Sequence, residues 1–384
     1  MTDAHRALAR RAADCLTPDW LEKQRTGPGG HIRKETWREL ADRGLMGVSH
    51  PTEHGGQGLG LLGALVLGEA IARVQDGGLS LGMHVQNEIA GDWLISAGNA
   101  ELRDRFLPGL IAGELVACQC DTDPSAGEPT VAVTDDDSVV ITGRKKFVVN
   151  GATADLCFVS VQLDGQPAIV LVEKSAPGVS VTEVYDKFGT RSIDSAQIAF
   201  DGVRVTPDRV ISRRGISQLM RWNRVMSRMR FLIAADASFV HRALLDHIRA
   251  HTTRRELGGR PLAGWPVNSH ALARARADQE LMEAGLAEAY LRLTEGGSTV
   301  PEIAELKWFC VERATELAGL CTDLEGGAGY MWDSTSLRAH AQARGFRMSG
   351  GSQTTMLTVA NHSMACRAEL DAPAIAATPG RRRG

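Results

Sequence analysis

The feature that most constrains this chain is a change of period along it. Up to about residue 115 the apolar residues recur at three- and four-residue steps, as in Ile32 to Arg43, Leu61 to Val74 and Leu79 to Ala97. That is the spacing of helices with one buried face. Between about 116 and 213 the period becomes two. Short β-branched runs at 131–134, 139–142, 147–150, 156–162, 168–173, 179–184 and 196–203 are divided by turns rich in Asp, Gly and Pro. From Ile216 the helical period returns, with long runs at 230–250, 269–294, 300–317 and 336–347. The order predicts an α+β multidomain fold: a helical domain over 1–115, a central β-sandwich or barrel over 116–215, and a bundle of antiparallel helices over 216–365. Residues 366–384, with Pro373, Pro379 and Arg381 to Arg383, read as a disordered, solvated tail.

Charge and cysteine content narrow the function classes. A formal net charge of −3 over 384 residues gives no electrostatic case for nucleic acid or an anionic membrane. Seven cysteines with no C-x-x-C pair read as reduced thiols in an intracellular protein, and Cys118 and Cys120 read as strand packing. No apolar run is long enough to span a bilayer, and the start reads as a charged helix rather than a signal peptide. A cytoplasmic protein with a small ligand or a protein partner is expected.

The segment Asp323 to Thr355 carries the densest chemical signal. Gly326, Gly327 and Gly329 precede an amphipathic run, and Gly350 and Gly351 follow it, leading into Ser352, Gln353 and Thr354. Glycine turns bracketing one helix suit backbone brought close to a flat or phosphorylated ligand. They equally suit two helices capped by glycine.

Five further stretches carry a family resemblance. Thr122-Asp123-Pro124-Ser125-Ala126-Gly127 is similar to T-E-P-x-A-G-S-D, and Gly143 to Gly151 followed by Ala154-Asp155 is similar to G-x-K-x-W-I-T-N-G-x-x-A-D. Phe188 to Ser192 and Phe200 to Pro207 resemble strands that close a β domain, and Arg254-Arg255-Glu256-Leu257-Gly258 resembles R-x-x-F-G. With the HGGQGLG loop, the GEAIAR run and the glycine cluster, they make the chain resemble the acyl-CoA dehydrogenase family from about residue 30 to 365. The resemblance implies a four-helix C-terminal bundle and FAD bound between subunits of a homodimer or homotetramer. The isoalloxazine ring would lie against the β domain, and the ADP half would be gripped by a partner's C-terminal helices. It implies cofactor contacts at Thr122, Phe147, Val149, Arg254, Gly326, Gly327, Gly329, Ser352 and Thr354. Arg254 would meet the pyrophosphate with a planar fork of donors, and the glycines would let backbone N–H groups approach phosphate. Ser352 and Thr354 would donate hydroxyls at the same end.

One departure decides how the activity is read. Family dehydrogenases use a glutamate to take the α-proton of an acyl thioester while hydride leaves the β-carbon. Its two usual positions fall here on Gly350 (Ser349 in a register shifted by one) and on Met229. Neither carries a carboxylate, so without a relocated base the proton has no acceptor. Glu88, Glu128, Glu325 and His340 are the nearest titratable candidates. Glu128-Pro129, Phe147, Val149 and Asp323 also depart from the family's residues. The resemblance therefore implies an FAD-dependent oxidoreductase acting on an acyl-CoA or acyl-carrier-protein thioester with an atypical or relocated base. The alternatives are a base-less partner subunit of a mixed tetramer, a flavin monooxygenase or oxidase, and a non-redox use of the scaffold.

Overall fold

The computed structural model describes residues 1–25, 30–212, 216–296 and 300–371. Seven helices come first: α1 Asp3–Cys15, α2 Pro18–Gln24, α3 Glu35–Asp42, α4 Gly60–Arg73, α5 Gly77–Met83, α6 Gly91–Ser96 and α7 Ala100–Ile111, with a π-helical stretch His84–Ala90 between α5 and α6. Their starts are written in the local sequence. The side chain of Thr17 accepts from Trp20 N at 3.2 Å, that of Asp76 from Leu79 N at 2.9 Å, and that of Asn99 from Leu102 N at 3.1 Å, each satisfying a donor that a helix end leaves free. The single run read over 79–97 is thus three elements, because a π-turn shifts the helical register in its middle.

Eight strands follow: β1 Ala117–Cys120, β2 Val131–Asp135, β3 Ser138–Val149, β4 Leu156–Leu163, β5 Gln166–Glu173, β6 Val179–Val184, β7 Ser195–Val205 and β8 Val210–Ser212. They form one sheet in the order β6-β7-β3-β2-β4-β5-β8, with β1 parallel to β4. Asp164 and Gly165, both at positive φ, make the two-residue turn between β4 and β5, the geometry that suits a tight hairpin. The runs read separately at 139–142 and 147–150 belong to one strand, β3, whose pairing with β7 slips at two bulges. Phe147 sits in the second bulge at φ 56°, an uncommon conformation for a bulky side chain. Alternate residues of β4 face opposite ways. Leu156 and Phe158 join the π-helix and the bundle in one core, whereas Cys157, Val159 and Val161 join residues of β1, β2, β3, β5 and β7 in a second. The sheet therefore wraps its own core on one face and supports the helices on the other.

The C-terminal helices are α8 Ile216–Arg254, α9 Pro266–Glu295, α10 Val300–Glu325, α11 Thr335–Phe346 and α12 Gln353–Asp371, with a short hairpin of β9 Glu256–Leu257 and β10 Arg260–Pro261 between α8 and α9. Helix α12 passes residue 365, and the expectation of a disordered tail falls, from residue 372 onward, outside the described residues. No helix among the described residues is long and apolar enough to cross a membrane.

His241 of α8 lies fully buried against α9, its Nδ1 2.8 Å from Gln279 Oε1 and its Nε2 without a partner among the described residues. Burial pushes its pKa down to about 4. Between pH 6.5 and 4 the unfolded chain thus holds a proton that the folded chain refuses, so this residue lowers stability as pH falls through that window. At about 1.4 kcal/mol per pH unit, the natural chain should lose about 2 kcal/mol more than His241→Gln between pH 6.5 and 5. Urea midpoints at the two pH values measure this, and parallel losses in both chains would refute it.

Candidate functional site

The two positions at which a base is expected are neighbours in space. Met229 is buried on α8, and Gly350 lies between α11 and α12 at φ 64°. A Cβ on Gly350 would stand 4.0 Å from Met229 Cγ, 3.5 Å from Arg230 Cγ and 2.9 Å from Ile233 Cδ1. Arg230 Nε donates to Gly350 O at 3.0 Å and Lys307 Nζ to Gly351 O at 2.8 Å, which ties the glycine pair to both helices. A side chain at 350 would meet both a left-handed backbone and Ile233. Met229 has neither obstacle.

Of the four titratable candidates, one pairs with the residue that precedes Met229. Glu88, in the π-helical stretch, is 3 % exposed on its side chain and accepts from Arg228 Nε at 2.7 Å and from Ser49 Oγ at 2.6 Å. Arg228 immediately precedes Met229. Burial alone would raise the Glu88 carboxyl, but Arg228, then His50 and Ser49, more than reverse this and hold it below the usual range. Burial likewise opposes the charge on Arg228, and Glu88 and then Asp92 restore it. Gly91, one turn on, leaves room for the His50 ring, since a Cβ there would lie 2.2 Å from His50 Cε1. Glu128 is exposed and paired with Arg144 at 2.9 Å. Glu325 meets His247. His340 is half-buried on α11, its pKa lowered by burial and then by Arg344. These three lie on other elements, and no described contact joins them to Met229 or Gly350.

The residues read as cofactor contacts fall into separate groups. Thr122 and Lys146 form an isolated bridge, with Lys146 N donating to Thr122 O at 2.8 Å, and the Thr122 side chain is exposed. Phe147 is 62 % exposed with its ring 5.0 Å from that of Tyr185, and Val149 is half-buried. At the far end of the bundle, Arg254 is exposed and its described hydrogen bond runs only to Ala250 O of its own helix. Beyond Gly326 and Gly327, nothing lies within 4 Å of where a Cβ would stand. Gly329 is different, because a Cβ there would be 2.5 Å from Thr322 O, so this glycine serves a tight turn. The contact between His247 and Glu325 holds the last turns of α8 and α10 side by side, which places Arg254 and Gly326 at one end.

Ser352 and Thr354 are at the other end, contrary to the expectation that they share it. Lys307, near the start of α10, reaches Gly351 O and Gln353 Oε1, and α10 then runs roughly 28 Å to Gly326 at about 1.5 Å per residue. Ser352 also accepts from Thr355 N at 3.2 Å, capping α12. Chain proximity across α11 misled the sequence reading, because a helix separates its two ends.

Lys307 and the approach of Cys157 to Cys118 had no sequence signal, whereas the packing role read for Cys118 and Cys120 is what the structure shows. Lys307 is fully buried, and burial, then Arg230 and Arg347, push its pKa down to about 7. Cys118, Cys120 and Cys157 bring their thiols together from β1 and β4, Cys118 Sγ lying 3.6 Å from Cys120 Sγ and 3.5 Å from Cys157 Sγ. All three are fully buried in the sheet's apolar core, where packing accounts for them.

Comparison with known proteins covers nearly the whole chain. The acyl-CoA dehydrogenase N-terminal, middle and C-terminal domain models match residues 2–114, 119–203 and 214–365. A mitochondrial isovaleryl-CoA dehydrogenase of Pongo abelii is 26% identical over 373 residues, covering 90% of this chain and 84% of its own. Butyryl-CoA dehydrogenase of Megasphaera elsdenii superposes with a TM-score of 0.85 at 21% identity, covering 95% of this chain and 99% of its own. A glutaryl-CoA dehydrogenase of Mycobacterium smegmatis in complex with FADH2 gives 0.82 at 22% identity and covers 95% of each chain.

Proposed function

The chain belongs to the acyl-CoA dehydrogenase family, and from that premise we propose an FAD-dependent oxidoreductase that acts on an acyl thioester, carried by CoA or by a carrier protein, by α,β-dehydrogenation with an atypical base. The observation that carries the flavin half is the open end of the bundle. Gly326 and Gly327 are exposed with open space where a Cβ would stand, and Arg254 stands at the same end without an acidic partner among the described residues. That is a donor set for a pyrophosphate.

When bound, FAD supplies the acceptor for the substrate's hydride. Thr122, Phe147 and Val149 would border the ring, and Arg254, Gly326 and Gly327 the ADP half, with Ser352 and Thr354 at the end nearer Met229. Because these groups lie at opposite ends of one bundle, the reading includes a second copy of the chain completing each site, in a homodimer or homotetramer. The buried thiols Cys15, Cys118, Cys120, Cys157, Cys310 and Cys321 suit a reducing compartment, and the proposal places the protein in the cytoplasm.

A second reading, a base-less subunit paired with a related chain, is favoured by Gly350, whose conformation does not suit a carboxylate side chain. Visible spectra with released FAD counted per chain separate the two. Near-stoichiometric flavin in the natural chain, falling at least about tenfold in occupancy for Arg254→Ala on loss of a charge-assisted pair, is the expected result. Full flavin in Arg254→Ala would overturn the ADP-site assignment. No flavin in the natural chain after added FAD would leave the partner-subunit reading.

A further inference from the structure

The three thiols inside the sheet stand closer together than their burial requires. Cys118 and Cys120 are two residues apart on β1 and so point to one face, and Cys118 is level with Cys157 in the parallel pairing of β1 with β4. Besides the 3.6 and 3.5 Å separations from Cys118 Sγ, all three sulfurs lie within 4.8 Å of one another. The rest of that buried core is Ala, Val, Ile, Leu and Phe, and its three cysteines meet at one point. Apolar packing accounts for their burial, and alanine or valine would serve it equally well.

The cluster is polarised toward a cation. Cys118 donates its S–H to Cys157. The hydrogen bonds of Cys118 and Cys120, with the charge of Lys174 beyond them, hold the Cys157 thiol well below its usual range against the opposing effect of burial. Among the described residues the group stops at three, with no fourth His, Cys, Asp or Glu beside it. Structural zinc almost always takes four ligands, whereas soft sulfur ligands select copper(I). A metal–thiolate bond of about 2.3 Å places three sulfurs about 4.0 Å apart around one ion, close to the separations already present.

We propose that Cys118, Cys120 and Cys157 form a three-coordinate site for copper(I) in the core of the β domain. The Cys157 S–H bond breaks, its proton leaves to solvent and a Cu–S bond forms. Lone pairs of the other two sulfurs complete the coordination, and nothing is oxidised or reduced. Cu⁺ and the Cys157 thiolate cancel, so the apolar core gains no net charge. The sulfurs are fully buried, so loading follows a local opening. β1 is four residues long and pairs with β4 alone in the sheet, which makes its release the route in, and the bound ion then ties β1 to β4.

The test is a competition between the purified full-length chain, reduced and free of oxygen, and a coloured copper(I) chelator. Transfer is read from the loss of colour. The natural chain should take one copper(I) per chain, and X-ray absorption should then show three sulfur neighbours at about 2.3 Å. Cys157→Ala should bind at least about tenfold more weakly. Cys310→Ala, which removes a buried thiol outside the cluster, should bind as the natural chain does. No uptake by the natural chain, nitrogen or oxygen neighbours in its absorption spectrum, or undiminished binding by Cys157→Ala overturns the proposal. Tighter binding of zinc(II) than of copper(I) in the same competition also overturns it. The absorption spectrum needs no variant, so it decides the matter even where an alanine variant fails to fold.

Discussion

Met229→Glu should turn the chain into a far faster dehydrogenase of uncharged acyl thioesters, reducing its flavin with butyryl-CoA at least about 100-fold faster than the natural protein. A positioned general base contributes roughly 10²- to 10⁴-fold, and Met229 is one of the two positions at which the family resemblance implies one. The site is prepared for the charge. Arg228 and Arg230 flank the new carboxylate and favour its ionised form, and Arg230 has no acid among the described residues to release first. Glutamate and methionine are similar in length, so the cost of burial is electrostatic and these cations offset part of it. The parallel change Gly350→Glu should fail, because it places a side chain on a left-handed backbone with Ile233 Cδ1 2.9 Å from the Cβ. Stopped-flow bleaching of the flavin absorbance separates them. Folded, flavin-loaded Met229→Glu that reduces no faster than the natural chain would show that the missing base is not what limits this protein.

What the sequence disclosed follows from how local each signal is. Period marks a strand or helix from a few neighbouring residues, and so the α, β, α order and most of the strands could be read directly. The inward role of the early α8 arginines could not, although the helix itself begins at Ile216, where the helical period returns. Residues 221–230 carry Arg221, Arg224, Arg228 and Arg230, which break an apolar stripe in the sequence, yet in the structure Arg228 is neutralised by Glu88 and turns inward. That pairing joins residues 140 positions apart, and no pattern along the chain announces it. For the same reason Glu88 stood level with Glu128, Glu325 and His340 on sequence. Only the meeting of the π-helix with α8 separates it from them. The glycine turns show the opposite error. They are close in sequence and were read as one end of a site, but α11 carries the chain from one end of α10 to the other.

Glu88→Gln should cost about 3–5 kcal/mol of folding stability, the range for breaking a buried ion pair by removing one partner. The reason is asymmetric. The amide keeps the shape and can still meet Ser49, but Arg228 is then left largely buried with no counter-charge, and its desolvation is no longer offset. Removing both charges, as Glu88→Leu with Arg228→Met, should recover most of the loss, because an apolar pair in this setting carries no such penalty. A double-mutant cycle read from urea midpoints gives the coupling directly. The pH dependence supplies an independent check. Glu88 has a depressed pKa in the folded chain, so its contribution is fully present above the unfolded carboxyl value of about 4.3 and is lost as pH falls through the folded one. The His241 effect acts at higher pH, between about 6.5 and 4, so the two losses are centred in different ranges. In Glu88→Gln the lower loss should shrink, Asp123 and Glu312 keeping their own shares, while the upper one persists. If the single variant proved as stable as the natural chain, the pair would be too well solvated for either charge to depend on the other.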